Sequence, residues 1–268
     1  MTKVKRSGKM QAMPAPGKRG AVTGLSVASG LRLQDAIAAV DPAHGLPLFV
    51  TLTYPAEWPG SWELWKKHLD NYRRALLDQF GPCLTGGIWR LEAQRRGAPH
   101  YHVLLWLQGV DSRDDLDKLR AWTTEKWYRV VGSQDIKHLL AGTQVRRVAD
   151  RGEMQAVMAY LGKYLGKDSV HPESQVFENP VGRYWGVWYK ARLLVPPMTV
   201  AVDRSTYLKC RRTLRTYREK KHKGRPRKGG KENANKCQER EEQAPGLRCF
   251  MAEDDARRLL DCYDPVPF

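Results

Sequence analysis

Along the chain, short runs of β-rich residues are separated by two long stretches of helical spacing. Leu48 to Tyr54, rich in Leu, Val, Phe and Thr, reads as a strand. Ser61 to Phe80 places apolar residues three and four apart behind a Ser in the N-cap position, and so reads as a helix. Gly87 to Gln94 and His100 to Leu107 are paired strands, joined by Arg95 to Pro99, where Gly97 is free to take φ > 0 and Pro99 cannot donate to a ladder. Ser112 to Val130 reads as a second helix, Thr143 to Val148 as a β-rich segment, and Glu153 to Lys167 as a third helix. Arg183 to Tyr189 closes the series as a strand whose aromatics, Tyr184, Trp185, Trp188 and Tyr189, suit packing or the stacking of unpaired bases.

The hairpin carries chemistry. His100 and His102 are two apart, so on a strand both imidazoles leave one face while Tyr101 points the other way. With Glu92 opposite His102, Gln94 falls opposite His100 and all four side chains share that face. Imidazole nitrogen with carboxylate oxygen suits Mn²⁺, Mg²⁺ or Zn²⁺, and three ligands, Glu92, His100 and His102, leave positions open for a substrate oxygen. Gln94 is a substitute ligand or a support for one. The apolar run Val103 to Leu107 buries the strand end and stiffens the site.

In the third helix Tyr160, Lys163, Tyr164 and Lys167 recur at i, i+3, i+4 and i+7, which makes one stripe. Two phenols and two ammonium groups make a poor core face, because buried Lys is costly. No acid stands in the stripe to pair with them, so an anion belongs there. Gly162 and Gly166 each cost about 1 kcal/mol in a helix relative to Ala, which makes sense where another backbone approaches closely. Neighbouring positive charge favours the phenolate. A metal that polarises a phosphoryl oxygen and a tyrosine that attacks it together make a covalent, energy-conserving break in DNA.

Three ordered motifs resemble those of the HUH endonucleases, specifically the rolling-circle replication initiators of plasmids and single-stranded DNA phages. Phe49 to Tyr54 resembles the family's opening strand, Pro99-His-Tyr-His102 its histidine motif, and Tyr160 to Lys167 its tyrosine helix. Glu92, eight residues before His100, and the Arg-Gly-Ala-Pro turn match the layout of the third ligand and its hairpin. The resemblance spans roughly residues 46–190. It implies an α+β fold, an antiparallel β-sheet with flanking helices in the RRM-like or palm-like HUH architecture, with the tyrosine helix laid across the metal-bearing strands. It implies Mg²⁺ or Mn²⁺ as cofactor, and nicking and joining of single-stranded or origin DNA through a 5′-phosphotyrosine. Two-tyrosine initiators alternate their nucleophiles, whereas one-tyrosine initiators carry Tyr-X-X-Lys. This chain satisfies that signature at both Tyr160 with Lys163 and Tyr164 with Lys167, so the order of attack stays open. Conjugative relaxases and single-strand transposases share the chemistry, and a non-catalytic basic DNA-binding regulator is the alternative from another class.

Charge adds a partner. The 268 residues carry a formal net charge of +17, distributed unevenly. Met1 to Gly20 holds six Lys or Arg and no acid among Gly, Pro and Ala, so residues 1–45 are expected to be a largely flexible basic arm ahead of an endonuclease domain at 46–200. Residues 203–231 hold thirteen Lys or Arg against two acids, and residues 232–268 five against nine. Lys209, Arg211, Arg212, Arg215 and Arg218 make 201–231 a phosphate-tracking segment, followed by an acidic tail with a short helix. Five cysteines without a Cys-X-X-Cys pair indicate neither a disulfide framework nor a zinc finger. No apolar run approaches the roughly 20 residues of a membrane span, and the basic start lacks a secretory apolar region, so the cytoplasm of a prokaryotic host is expected. With no helicase signature in the sequence, a host helicase and a host DNA polymerase are the implied partners.

Overall fold

A computed structural model describes residues 2–6, 24–149, 177, 181–196, 198–202, 205, 208–213 and 216. The chain divides into two compact units, one of residues 1–15 with 197–268 and one of residues 16–196. In the first unit, β1 (Thr2–Arg6) pairs in parallel with β7 (Met198–Val202).

The second unit holds α1 (Val27–Ala38), β2 (Leu48–Thr53), α2 (Trp62–Phe80), β3 (Leu84–Ala93), β4 (Pro99–Leu107), α3 (Arg113–Val130), α4 (Ile136–Ala141), β5 (Thr143–Arg147), β6 (Trp185–Trp188) and α5 (Lys190–Leu193). Its five strands form one antiparallel sheet in the order β5-β2-β4-β3-β6. This is the α+β arrangement of an antiparallel sheet with flanking helices that the sequence predicts.

Alternation along the strands divides the core. Leu48, Val50, Leu52, Leu91, Tyr101, Val103 and Leu105 meet α2 through Trp65, Leu69, Tyr72 and Leu76, and α3 through Leu116, Leu119 and Trp127. The buried positions on α2 recur at four, three and four, the stripe of an amphipathic helix. Ser112 and Asp115 close a capping box at the start of α3. Ser61 occupies the N-cap position of α2, but its hydroxyl donates to Glu63 Oε2 at 2.6 Å instead of accepting from the backbone.

The opposite face gathers Phe49, Ile88, Leu104 and Trp106 beneath Leu33 and Ile37 of α1 and Leu193 of α5. The arm expected over residues 1–45 therefore contains a core helix. Leu33 and Ile37 are 0% and 3% exposed, and burial of such side chains stabilises a fold by about 1.5–3 kcal/mol each.

The closing aromatic strand is β6, on the sheet edge. Tyr184 and Trp188 are buried in the core, and Trp185 Nε1 donates to Ser29 Oγ at 2.9 Å, so these three rings pack the fold. Gly87 leaves room for the Trp188 ring, which would lie 2.9 Å from any added Cβ. The predicted helix from Glu153 to Lys167 lies outside the described residues.

Candidate active site

The β3–β4 hairpin turns through Arg95, Arg96 and Gly97. Gly97 sits at φ 82°, its N–H donates to Gln94 O at 2.8 Å, and the Gln94 N–H donates to Ala98 O at 2.9 Å. This is a three-residue loop with glycine in the left-handed position. It is shorter than the Arg95 to Pro99 turn read from the sequence, and Pro99 already belongs to β4.

Shortening the loop moves the register by two. Glu92 pairs with His100 and Arg90 with His102, where the sequence reading placed Glu92 opposite His102 and Gln94 opposite His100. A shift of two preserves the face, because the side-chain period of a strand is also two. Glu92, His100 and His102 therefore remain neighbours on one face, joined there by Arg90 and by Thr51 and Thr53 of β2, which pair with His102 and His100.

The contacts are specific. Glu92 Oε2 lies 3.4 Å from His102 Nε2, and Glu92 Oε1 lies 3.1 Å from Arg90 Nε. Thr51 Oγ1 lies 3.4 Å from His102 Nδ1, and Thr53 Oγ1 lies 3.0 Å from His100 Nδ1. The two imidazole centroids are 4.5 Å apart with their planes nearly perpendicular, and Phe49 stacks on His102 at 5.3 Å. Gln94 Oε1 accepts from Arg96 Nε at 3.0 Å, which turns its amide nitrogen towards His100 Nδ1 at 3.4 Å. Gln94 thus stands as a neighbour that supports His100, with its own oxygen engaged. An open cleft of about 480 Å³ adjoins these groups, lined by Glu92, Ala93, Gln94, Arg95, Arg96 and His100.

Electrostatics fit the acceptor roles of a ligand set. Burial, with His102 and Arg96 nearby, pushes His100 down to about 4 against the opposing pull of Glu92, so its ring is neutral near pH 7. Burial alone would raise Glu92, but contact with His102 and the charge of Arg90 outweigh it and hold the carboxyl below its usual range.

A divalent cation can be tested against these groups. Two donors at about 2.1 Å from a common ion, at a tetrahedral angle, stand about 3.4 Å apart. That is the separation of Glu92 Oε2 and His102 Nε2, which is long for a hydrogen bond. An Nδ1–H of His100 donating to Thr53 leaves the Nε2 lone pair available to a cation. Among the described residues no three His, Cys, Asp or Glu side chains already form a closed cage. The donor set fits as one close pair with His100 beside it.

The hairpin is held from outside. Arg96 donates to Tyr54 O at 2.6 Å and to Pro55 O at 2.7 Å, tying the hairpin tip to the chain leaving β2. Trp127 Nε1 donates to Thr53 O at 2.7 Å and His138 Nε2 lies 2.7 Å from the same oxygen, so α3 and α4 fix the strand end that carries the brace for His100. Sequence reasoning missed Thr51, Thr53, Arg90 and Arg96. The alternation of Phe49, Thr51 and Thr53 along one face of β2 was the signal for the threonines, and that of Ile88, Arg90 and Glu92 along β3 was the signal for the arginine.

Tyr160, Lys163, Tyr164 and Lys167 lie outside the described residues. Of the basic cluster, Lys209, Arg211 and Arg212 fall in the helical stretch 208–213, with Lys209 and Arg212 exposed and Arg211 half-buried, while Arg215 and Arg218 lie outside. Among the described residues no helix is long and apolar enough to cross a membrane.

Residues 47–169 match the family model of the ORF2-type replication-associated proteins. The match takes in β2, both strands of the histidine-bearing hairpin and the whole tyrosine stripe. No curated protein and no solved structure matches.

Proposed function

Because residues 47–169 belong to the ORF2-type replication-associated protein family, we propose that this chain nicks and rejoins single-stranded DNA to initiate and terminate rolling-circle replication. The replication role comes from the family, and the chemistry is read from the residues. The observation that supports it most is the pair Glu92 and His102, 3.4 Å apart, with His100 beside them and a threonine hydroxyl against each imidazole Nδ1.

Glu92, His100 and His102 would hold Mg²⁺ or Mn²⁺, which when bound supplies charge neutralisation and polarisation at a phosphoryl oxygen. Tyr160 or Tyr164 is the nucleophile. Its phenol loses a proton to water, its oxygen bonds to phosphorus, and the bond from phosphorus to the 3′ oxygen breaks. The 3′ oxygen takes a proton and becomes the primer terminus, while the 5′ phosphate stays on the tyrosine. Lys163 and Lys167 neutralise the phosphate and favour the phenolate. The second phenol attacks the regenerated junction by the same steps in turn. Lys209, Arg211, Arg212, Arg215 and Arg218 bind the phosphate backbone at a distance from the chemistry. A host helicase and a host polymerase extend the nicked strand.

The test uses labelled single-stranded DNA carrying the element's own origin, the full-length protein and Mn²⁺. The wild type forms a covalent protein–DNA adduct that EDTA prevents. The double variant Tyr160→Phe, Tyr164→Phe binds the DNA and forms none. An adduct formed equally well by the double variant overturns the tyrosine mechanism. A protein that shifts DNA identically with and without EDTA and never cuts it is the regulator instead.

A further inference from the structure

Arg90 is a charged group of the site to which the proposed reaction gives no role. It lies on β3 two residues before Glu92, pairs across the sheet with His102, and is 3% exposed. Its guanidinium is always charged, and a buried charge is tolerated only where a counter-charge meets it. Glu92 supplies that charge through Oε1, with Arg90 Nε at 3.1 Å.

One carboxylate thus has two claimants. Oε1 faces Arg90, and Oε2 faces His102 at 3.4 Å, where the cation would bind. A divalent ion gripped by Glu92 Oε2 and His102 would stand beside the guanidinium on the other oxygen, in a part of the sheet face where Arg90, Glu92 and His102 are all nearly shielded from solvent. Like charges repel strongly at such range where water does not screen them.

Resting on the metal reading above, we infer that Arg90 is a positioning residue that competes with the divalent cation for Glu92. It neutralises and aims the carboxylate while the cation is absent, and loosens the cation's hold when it binds. A loosely held cation is one that the negative charge of a phosphodiester helps to retain. Metal loading and DNA binding therefore become coupled, each strengthening the other.

The experiment measures Mn²⁺ binding to the full chain without DNA, by calorimetry and by the electron paramagnetic signal of free Mn²⁺, together with thermal unfolding in EDTA. Arg90→Gln, which removes the competing charge, is expected to bind Mn²⁺ about tenfold more tightly than the wild type and to melt lower in EDTA. Arg90→Lys keeps the charge and stays within about threefold of the wild type. A damaged site loses affinity, so a gain has no explanation in misfolding. If Arg90→Gln is unfolded in EDTA, refolding driven by Mn²⁺ supports the inference and failure to refold overturns it. A folded Arg90→Gln that binds Mn²⁺ no more tightly than the wild type overturns the competition and leaves the metal centre standing. If neither protein binds Mn²⁺, the metal centre itself falls and the inference with it.

Discussion

Thr53 Oγ1 lies 3.0 Å from Nδ1 of His100, a contact between paired residues of β2 and β4 that sets which imidazole nitrogen is left for a ligand. Replacing the hydroxyl with a methyl in Thr53→Val keeps the β-branched shape and removes only the hydrogen-bonding partner. Loss of such a support typically costs about 10–100-fold in metal affinity or activity. Thr53→Val is therefore expected to unfold at nearly the wild-type urea concentration while its Mn²⁺ affinity and nicking rate fall by that factor. Unchanged Mn²⁺ affinity would show that the threonine does not orient the ring.

Removing the acid has a second consequence, because Arg90 and Glu92 are both buried and 3.1 Å apart. Glu92→Gln takes a ligand from the metal and leaves a guanidinium without its counter-charge, a change that costs about 3–5 kcal/mol when the pair is buried. Nicking is lost and the protein unfolds at lower urea even in EDTA. Adding Arg90→Gln to Glu92→Gln removes the orphaned charge, so the double variant is more stable than Glu92→Gln alone. Urea titrations of the four proteins in EDTA make the cycle. Additive losses would mean that the two side chains are not coupled.

The face of the sheet that carries the site was legible in the sequence, and its register was not. Period-two alternation fixes which residues share a face, and a two-residue error leaves that answer intact, so Glu92, His100 and His102 were found together although their partners were wrong. Register depends on how many residues the loop spends, and Ala98 and Pro99 looked like turn residues until the Gln94–Ala98 hydrogen bond placed them in the ladder. α1 was hidden because a basic stretch rich in Gly and Pro precedes it and because Leu33 and Ile37 are anchored only by tertiary contact with Leu104 and Trp106. Arg90 was passed over for a similar reason. An arginine in a strand ordinarily faces water, and only the assembled sheet shows this one buried against an acid.

The basic cluster yields a salt test. Lys209 and Arg212 are exposed on one helical stretch, with Arg211 half-buried beside them. Each phosphate contact to single-stranded DNA contributes about 0.7 to the slope of log affinity against log salt concentration. Changing Lys209, Arg211, Arg212, Arg215 and Arg218 to Gln is expected to weaken DNA binding and to flatten that slope by up to about 3.5. At saturating DNA the cutting rate stays near that of the wild type, since none of the five is assigned to the chemistry. Affinities measured between 50 and 300 mM NaCl, a range of about sixfold in salt, give the slope. A slope identical to the wild type removes the cluster from the interface.

Lys66 gives the fold a pH dependence of its own, on the sheet face opposite the histidines. Its ammonium lies 4.6 Å from the Trp89 ring centroid and donates to Arg183 O. Burial first, and then the charge of Arg183, pushes it from its usual 10.5 down to about 7. The unfolded chain keeps this proton up to about pH 10.5, whereas the folded chain releases it near 7. Between those values the unfolded state binds more protons, so stability rises with pH, by at most about 1.4 kcal/mol per unit from this one group. Below pH 7 both states are protonated and the full cost of the buried charge is present. Lys66→Met removes the charge and keeps an unbranched apolar stem, so it should be more stable than the wild type at pH 7 and should converge with it towards pH 10. Urea unfolding at pH 7, 8, 9 and 10 decides the matter, and a stability difference that does not change with pH would mean that Lys66 stays charged in the folded protein.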